Sequence, residues 1–169
     1  MDRHEAMTPD LALWASLCAN DVSRARGTLD VAARSERDRT DAGSLLPQGR
    51  FLAIEVWSES ELASLQACAW WVLRGSIEGL EPALMEAALW HLENLQPDNA
   101  TNHPWGIPAF LWLAFEGGTA SRDTAVWHCE TLIHNAISSG GEPVLTSALI
   151  LEDAAAWLRA FSSRGSATR

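Results

Sequence analysis

The chain of 169 residues contains no lysine and no tyrosine, and it has only three cysteines. Cys18, Cys68 and Cys129 are spaced too widely for a disulfide framework or a cysteine-based zinc site, so we expect them to be small buried apolar residues. The longest apolar run, residues 107–115, is about half of the roughly 20 residues that a membrane-spanning helix needs. No apolar stretch of signal-peptide type follows the polar start. These absences predict a cytoplasmic protein without a membrane anchor.

The charges are strongly unbalanced, because 12 arginines face 22 acidic residues and the net charge is −10. Acidic residues outnumber arginines in residues 50–169, and they also interrupt the arginine-rich stretch 24–39. Nucleic acids and anionic lipids require clustered cations, so the sequence argues against both as partners. An acidic surface attracts basic surfaces, which makes a basic protein the expected partner. Solubility alone would also account for the charge.

Apolar residues are spaced for helices along most of the chain, in which 47% of residues are hydrophobic and 20% are charged. The predicted helices are residues 9–26, 58–74, 81–96, 102–118, 121–138 and 143–161. Residues 51–57 are predicted to be a short helix or an extended segment, because no second strand is available to pair with them. The sequence therefore predicts an all-α, single-domain bundle of six or seven helices.

Two helices are predicted to be central, because they are apolar on nearly every face. They are the second half of 58–74 and the segment 109–115. Thr8 and Pro9 indicate where the first helix starts, and Gly27 indicates where it ends. The expected organisation is an N-terminal helix within 1–26, a polar flexible connection at 27–46, a helical core domain at 47–162 and a frayed tail at 163–169.

Two of the predicted helices share five residues at a constant offset of 37 positions. They are Ala88, Trp90, His91, Glu93 and Leu95 in one helix, and Ala125, Trp127, His128, Glu130 and Leu132 in the other. Repeats of helical hairpins have periods in this range. A helical projection places His91 in an apolar stripe and His128 on a polar flank, so two helical-hairpin repeats are a hypothesis that the pattern leaves open.

Nine tryptophans are many for a chain of this length. Buried indoles join helices, and exposed ones often anchor a partner. The side chains expected in the core are Trp14, Trp70, Trp71 and Trp112. The candidate partner-binding residues are Trp90 with its neighbours Glu86 and Glu93, and Trp127 with its neighbours Asp123 and Glu130. Aromatic rings surrounded by acids suit a basic, partly apolar partner.

The sequence contains a set of residues, expected to pack helices together, that it shares with a known family. The set comprises Ala69-Trp70-Trp71-Val72-Leu73, Ala88-x-Trp90, Trp105 and Trp112-x-Ala114-Phe115-x-Gly117-Gly118-Thr119. Over residues 45–150 the chain resembles an all-helical bacterial family of unknown function that is encoded near type VI secretion genes. The chain lacks the proline-rich loop expected after Gly118. The resemblance implies a cytoplasmic accessory or adaptor role in secretion and implies no catalytic residues.

The expected function is therefore a non-enzymatic helical interaction module, an adaptor or accessory scaffold that binds a basic protein and needs no cofactor or metal. An immunity-type inhibitor of a basic toxin fits the same charge. A competing hypothesis is a helical enzyme or a carrier of a small ligand or metal, with a pocket near His91, His128 and Glu130. The sequence has no His-Glu-x-x-His, Cys-x-x-Cys or Gly-x-Ser-x-Gly motif to support that alternative.

Overall fold

The computed structural model describes residues 7–34, 44–45, 54–95, 103–138 and 145–166. Within those residues it contains seven helices and no strand, which confirms the predicted all-α bundle. The helices are α1 (Pro9–Ala19), α2 (Val22–Arg34), α3 (Ile54–Arg74), α4 (Leu80–Asn94), α5 (Ile107–Glu116), α6 (Thr119–Ser138) and α7 (Leu145–Ser166). None of these helices combines the length and the apolar character that crossing a bilayer demands.

The N-terminal segment forms two helices, so the predicted single helix over 9–26 is wrong. Asn20 adopts a left-handed conformation with φ of 54°, and its N–H bonds back to the carbonyl of Leu17. Asp21 then accepts a hydrogen bond from the backbone of Arg24, which starts α2. Gly27 therefore lies inside a helix that continues to Arg34. The first residues of the predicted flexible connection are helical, and its residues 35–43 and 46 lie outside the described part of the chain.

The centre of the bundle is α3, which packs against α1, α4, α5 and α7. Every residue from 61 to 69 is buried, polar side chains included. The helix begins at Ile54, so residues 54–57 are helical, while residues 51–53 lie outside the described part. α5 is the second central helix, and its residues are nearly all buried apart from Phe115 and Glu116 at its end. Both predicted central helices are confirmed.

Several helix ends differ from the prediction. α4 ends at Asn94 rather than at residue 96, and α5 starts at Ile107 rather than at residue 102 because Gly106 turns the chain with φ of 84°. α7 continues to Ser166, beyond the predicted end at residue 161, while the fraying expected from residue 163 stays a prediction. Residues 167–169 lie outside the described part. Gly117 and Gly118 separate α5 from α6, as expected.

The indoles join the helices as predicted, but some are less buried than expected and others are more buried. Trp71 and Trp112 are in the core. Trp14 and Trp70, also expected there, are half-buried, and each donates its N–H across helices, to the carbonyl of Ala63 and to the carboxylate of Asp153 respectively. Two further indoles are fully buried, although no local pattern singled them out. They are Trp57 and Trp157.

The two helix pairs that carry the 37-residue pattern are α3 with α4 and α5 with α6, and each pair is packed together. Equivalent positions agree in burial more closely than the projection predicted. Ala88 and Ala125 are buried, and His91 and His128 are buried as well. The expected polar position of His128 is therefore wrong, while the duplication itself stays a hypothesis.

Gly106→Ala is expected to cost more stability than the matched change Gly79→Ala. Both glycines precede a helix with positive φ, so the strained backbone costs each variant about 1–2 kcal/mol. A methyl group on Gly106 would lie 3.0 Å from Leu62 Cδ2 and 3.2 Å from Phe110 Cε2, whereas nothing lies within 4 Å at Gly79. Crowding should add about 1–3 kcal/mol at Gly106 alone. Urea unfolding measures both losses, and equal losses would contradict this interpretation.

Candidate functional site

One candidate site is the solvent-facing side of α6, here called the α6 outer face. It consists of Asp123, Val126, Trp127, Glu130, Ile133, His134 and Ile137, which recur at intervals of three or four residues and are all exposed. The opposite side of the helix is buried through Ala125, His128, Cys129 and Leu132. Helical periodicity therefore fixes which side chains point to solvent. Trp127, Asp123 and Glu130 lie where the sequence predicted them.

Trp127 is the most informative residue of this face, because 58% of its surface is exposed. Asp123 and Glu130 lie one helical turn before and after it, so two exposed carboxylates flank the indole. Ile137, two turns further on, is even more exposed at 73%. Large apolar side chains between acids are typical of a surface that contacts another protein.

Trp90, the second predicted anchor, does not point freely into solvent. It is half-buried, and its ring meets Trp57 edge to face at a centroid distance of 5.6 Å. Its predicted neighbours Glu86 and Glu93 are exposed, and Glu86 lines a cleft of about 560 Å³ beside Arg26. The structure thus does not bring Trp90 and its acids together as an exposed anchor. The residues next to Trp90 in the sequence could not indicate its partial burial, because the ring that packs on it, Trp57, lies on another helix.

Two histidines are buried inside the bundle. His91 on α4 is stacked on Trp57, and its Nε2 lies 3.8 Å from Oε1 of Glu61, whose carboxylate also accepts the backbone N–H of Leu45. His128 on α6 packs on Phe110 with a ring distance of 4.4 Å. Glu130, which the competing hypothesis grouped with these histidines, lies on the exposed face of α6. The buried carboxylate is Glu61 instead.

Burial sets the protonation of this histidine cluster. Removal from water, together with a smaller contribution from the nearby His91, lowers the pKa of His128 from its usual 6.5 to about 4. The Nε2 of His128 and both ring nitrogens of His91 have no hydrogen-bond partner among the described residues. His128 is therefore neutral at pH 7, and only 2% of its surface is exposed.

Carboxylates on α3 and α7 link helices in two further places. Glu59 contacts Nδ1 of His103 at 2.6 Å and accepts the N–H of Trp105 at 3.0 Å. Asp153 accepts hydrogen bonds from Gln66 and Trp70 of α3. Nothing in the neighbouring residues of the sequence indicates these contacts, because the partners are distant along the chain. These contacts join segments that are far apart in the sequence.

The cysteines fall into two classes. Cys68 and Cys129 are buried, and burial raises the pKa of Cys68 and raises that of Cys129 to about 12, so neither forms a thiolate at neutral pH. Cys18 is exposed, which corrects the expectation that all three are buried. Within the described residues, no three His, Cys, Asp or Glu side chains are placed to share a metal ion.

Comparison of the chain with models of known protein families, with curated proteins and with solved structures gave no match. Interpretation of the site therefore depends on its own geometry. That geometry presents an exposed indole between carboxylates on one side of the bundle and a sealed histidine pair in its interior.

Proposed function

We propose that this chain is a non-enzymatic helical interaction module, an adaptor or accessory scaffold, that binds a basic protein surface through the α6 outer face. The observation that carries the proposal is the exposure of Trp127 between Asp123 and Glu130. An indole that remains in solvent loses the free energy that burial would give, and a partner supplies that burial. Tryptophan is also the residue most often found at the energetic centre of interfaces.

The partner's chemistry follows from what surrounds the indole. Val126, Ile133 and Ile137 lie along the same face, so the contact surface of the partner should be partly apolar. Asp123 and Glu130 would face arginines or lysines, and the net charge of −10 would steer a basic partner toward the molecule. The proposal places this binding in the cytoplasm, and the family resemblance suggests a partner from a secretion assembly.

Trp127→Ala is expected to weaken binding by roughly 30-fold or more, the effect of losing about 2 kcal/mol at an interface centre. The protein carries an affinity tag and is incubated with extract of the native host at low and high salt. Proteins retained by the wild type but lost with Trp127→Ala are identified, and the dissociation constant of the purified partner is then measured. The partner should have a basic surface, and its affinity should fall with salt.

Leu11→Ala is the matched control, because Leu11 is 57% exposed on α1 and lies outside the α6 outer face. It should bind like the wild type. Glu130→Arg, which reverses the charge beside the indole, should weaken binding without unfolding the chain, since Glu130 is exposed. A partner that binds Trp127→Ala and the wild type equally, or whose affinity does not depend on salt, would refute the proposed surface.

A further inference from the structure

A cleft of about 740 Å³ lies at the end of the bundle where α3 and α5 terminate. Its walls come from the end of α3 and the turn after it, the start of α4, the end of α5 and the last turns of α7. None of its lining residues belongs to the α6 outer face. The cleft is therefore a separate feature that the proposed function leaves unexplained.

One wall of the cleft is aromatic. Phe115 of α5 and Phe161 of α7 are stacked at a centroid distance of 5.2 Å and an angle of 16°, and Trp112 meets Phe161 edge to face at 5.4 Å. Phe115 is 44% exposed, although it lies in a helix that is otherwise almost fully buried. A ring surface is thus available to a ligand in the cleft.

Acidic side chains lie beside the aromatic ones. Glu78, Glu81 and Glu116 line the cleft, and Glu81 is held in place because it accepts the N–H of the buried Trp112 at 3.2 Å. The only cation among the described lining residues is Arg164, which donates to the carbonyl of Leu73 at the end of α3.

The backbone adds to the negative potential of the cleft. α3 and α5 end beside it, at Arg74 and Glu116, and α7 approaches its own C-terminus there. The C-terminal end of a helix carries partial negative charge, so these three ends favour a cation, and they outnumber the one N-terminal end at the cleft, that of α4 at Leu80, whose partial positive charge opposes them. The sequence agrees with this, since no arginine or lysine occurs between Arg74 and Arg122 while six acids do.

We propose that this cleft is a binding site for a guanidinium group carried on a short alkyl chain. A guanidinium ion is planar, stacks on aromatic faces and donates several hydrogen bonds to carboxylates, which matches a cleft lined by both aromatic rings and carboxylates. The group is either a small guanidine compound or the side chain of an arginine in a protein. The ring of Phe115 and the carboxylate of Glu116 are the contacts that we expect to decide the affinity.

The test uses the full-length protein labelled with ¹⁵N and titrated with ethylguanidinium. Each indole N–H gives its own NMR signal, and Trp112→Phe identifies the signal of Trp112. That signal should shift saturably, because a cation bound at Glu81 changes the acceptor of the Trp112 N–H. The signal of Trp127, outside the cleft, should stay in place. Ethylurea, which has nearly the same shape but no charge, should cause no saturable shift.

Variants distinguish binding of the cation in the cleft from its general attraction to a negatively charged protein. Phe115→Leu removes the π face but keeps an apolar side chain, and it should weaken binding about two- to fivefold, whereas Phe115→Trp should retain it. Glu116→Gln should also weaken binding about two- to fivefold. Glu152→Gln on α7 makes the same change in net charge at an exposed position outside the cleft, and it should leave the affinity unchanged.

The source of the group is decided with a second probe, the blocked peptide acetyl-Gly-Arg-Gly-amide. Saturable binding of the peptide assigns the cleft to a protein arginine, and binding of ethylguanidinium alone assigns it to a small guanidine compound. The proposal is overturned if neither probe shifts the Trp112 signal saturably at millimolar concentration, or if Glu152→Gln weakens binding as much as Glu116→Gln. Neither result bears on Trp127, so the two sites stand or fall separately.

Discussion

Replacing Trp157 with alanine is expected to lower the free energy of unfolding by about 3–5 kcal/mol. Trp157 has no exposed surface and packs face to face with Phe161 and edge to face with Trp112. Its N–H donates to the carbonyl of Ala69 at 3.1 Å, and this links α7 to the central helix. The change therefore leaves a cavity and removes the hydrogen bond that joins α7 to the carbonyl of Ala69.

Urea unfolding followed by circular dichroism measures this loss. Trp157→Phe, which keeps an aromatic ring but removes the N–H, should cost clearly less than alanine. Trp127→Ala is the contrasting control, because it removes the same side chain from an exposed position and should change stability by less than about 1 kcal/mol. If Trp157→Ala were no more damaging than Trp127→Ala, the packing described for α7 would be wrong.

Acid is expected to destabilise the protein through His128. The folded state holds the pKa of His128 at about 4, whereas the unfolded chain has the ordinary value near 6.5. Between these values the unfolded state binds a proton that the folded state does not, so stability falls as the pH falls through this window. The contribution should be fully present above pH 6.5, and about 2–3 kcal/mol of it should be lost by pH 4.5.

The measurement compares the free energy of unfolding at pH 7 and pH 4.5 in the wild type and in His128→Leu. Leucine has a similar volume and cannot titrate, so the variant should lose about 2–3 kcal/mol less than the wild type on acidification. His134→Leu, at an exposed position on the same helix, should lose as much as the wild type. Identical losses in the wild type and His128→Leu would show that His128 is not buried as a neutral imidazole.

The helical architecture was predictable because it depends on local patterns. Apolar spacing identified α3 to α7 with errors of a few residues at their ends, and the apolar character of α5 on all sides identified it as central. The break after α1 was not predictable in the same way. It depends on the left-handed backbone of Asn20 and on the side chain of Asp21, which caps the next helix. The spacing of apolar residues continues across both positions and therefore does not indicate a break.

The candidate site was predictable only in part, since exposure depends on the helices packed beside a residue. Trp90 and Trp127 have nearly the same flanking acids, yet Trp57 covers one ring and nothing described covers most of the other. The cleft that we propose binds a guanidinium group could not be located from neighbouring residues in the sequence. Its aromatic rings come from α5 and α7, and Phe115 and Phe161 are 46 positions apart. Such long-range neighbours are set by tertiary packing alone.

The amide of Gln66, buried in the middle of α3, restricts how the bundle can assemble. Its oxygen accepts the N–H of Gly106 at the start of α5, and its nitrogen donates to Asp153 of α7. If α3 were rotated by one residue, the amide oxygen and nitrogen of Gln66 would both be buried without hydrogen-bond partners, which costs free energy. Apolar contacts impose no such cost, because one apolar neighbour can replace another. This one side chain therefore selects a single alignment of three helices and disfavours a loosely ordered, molten interior.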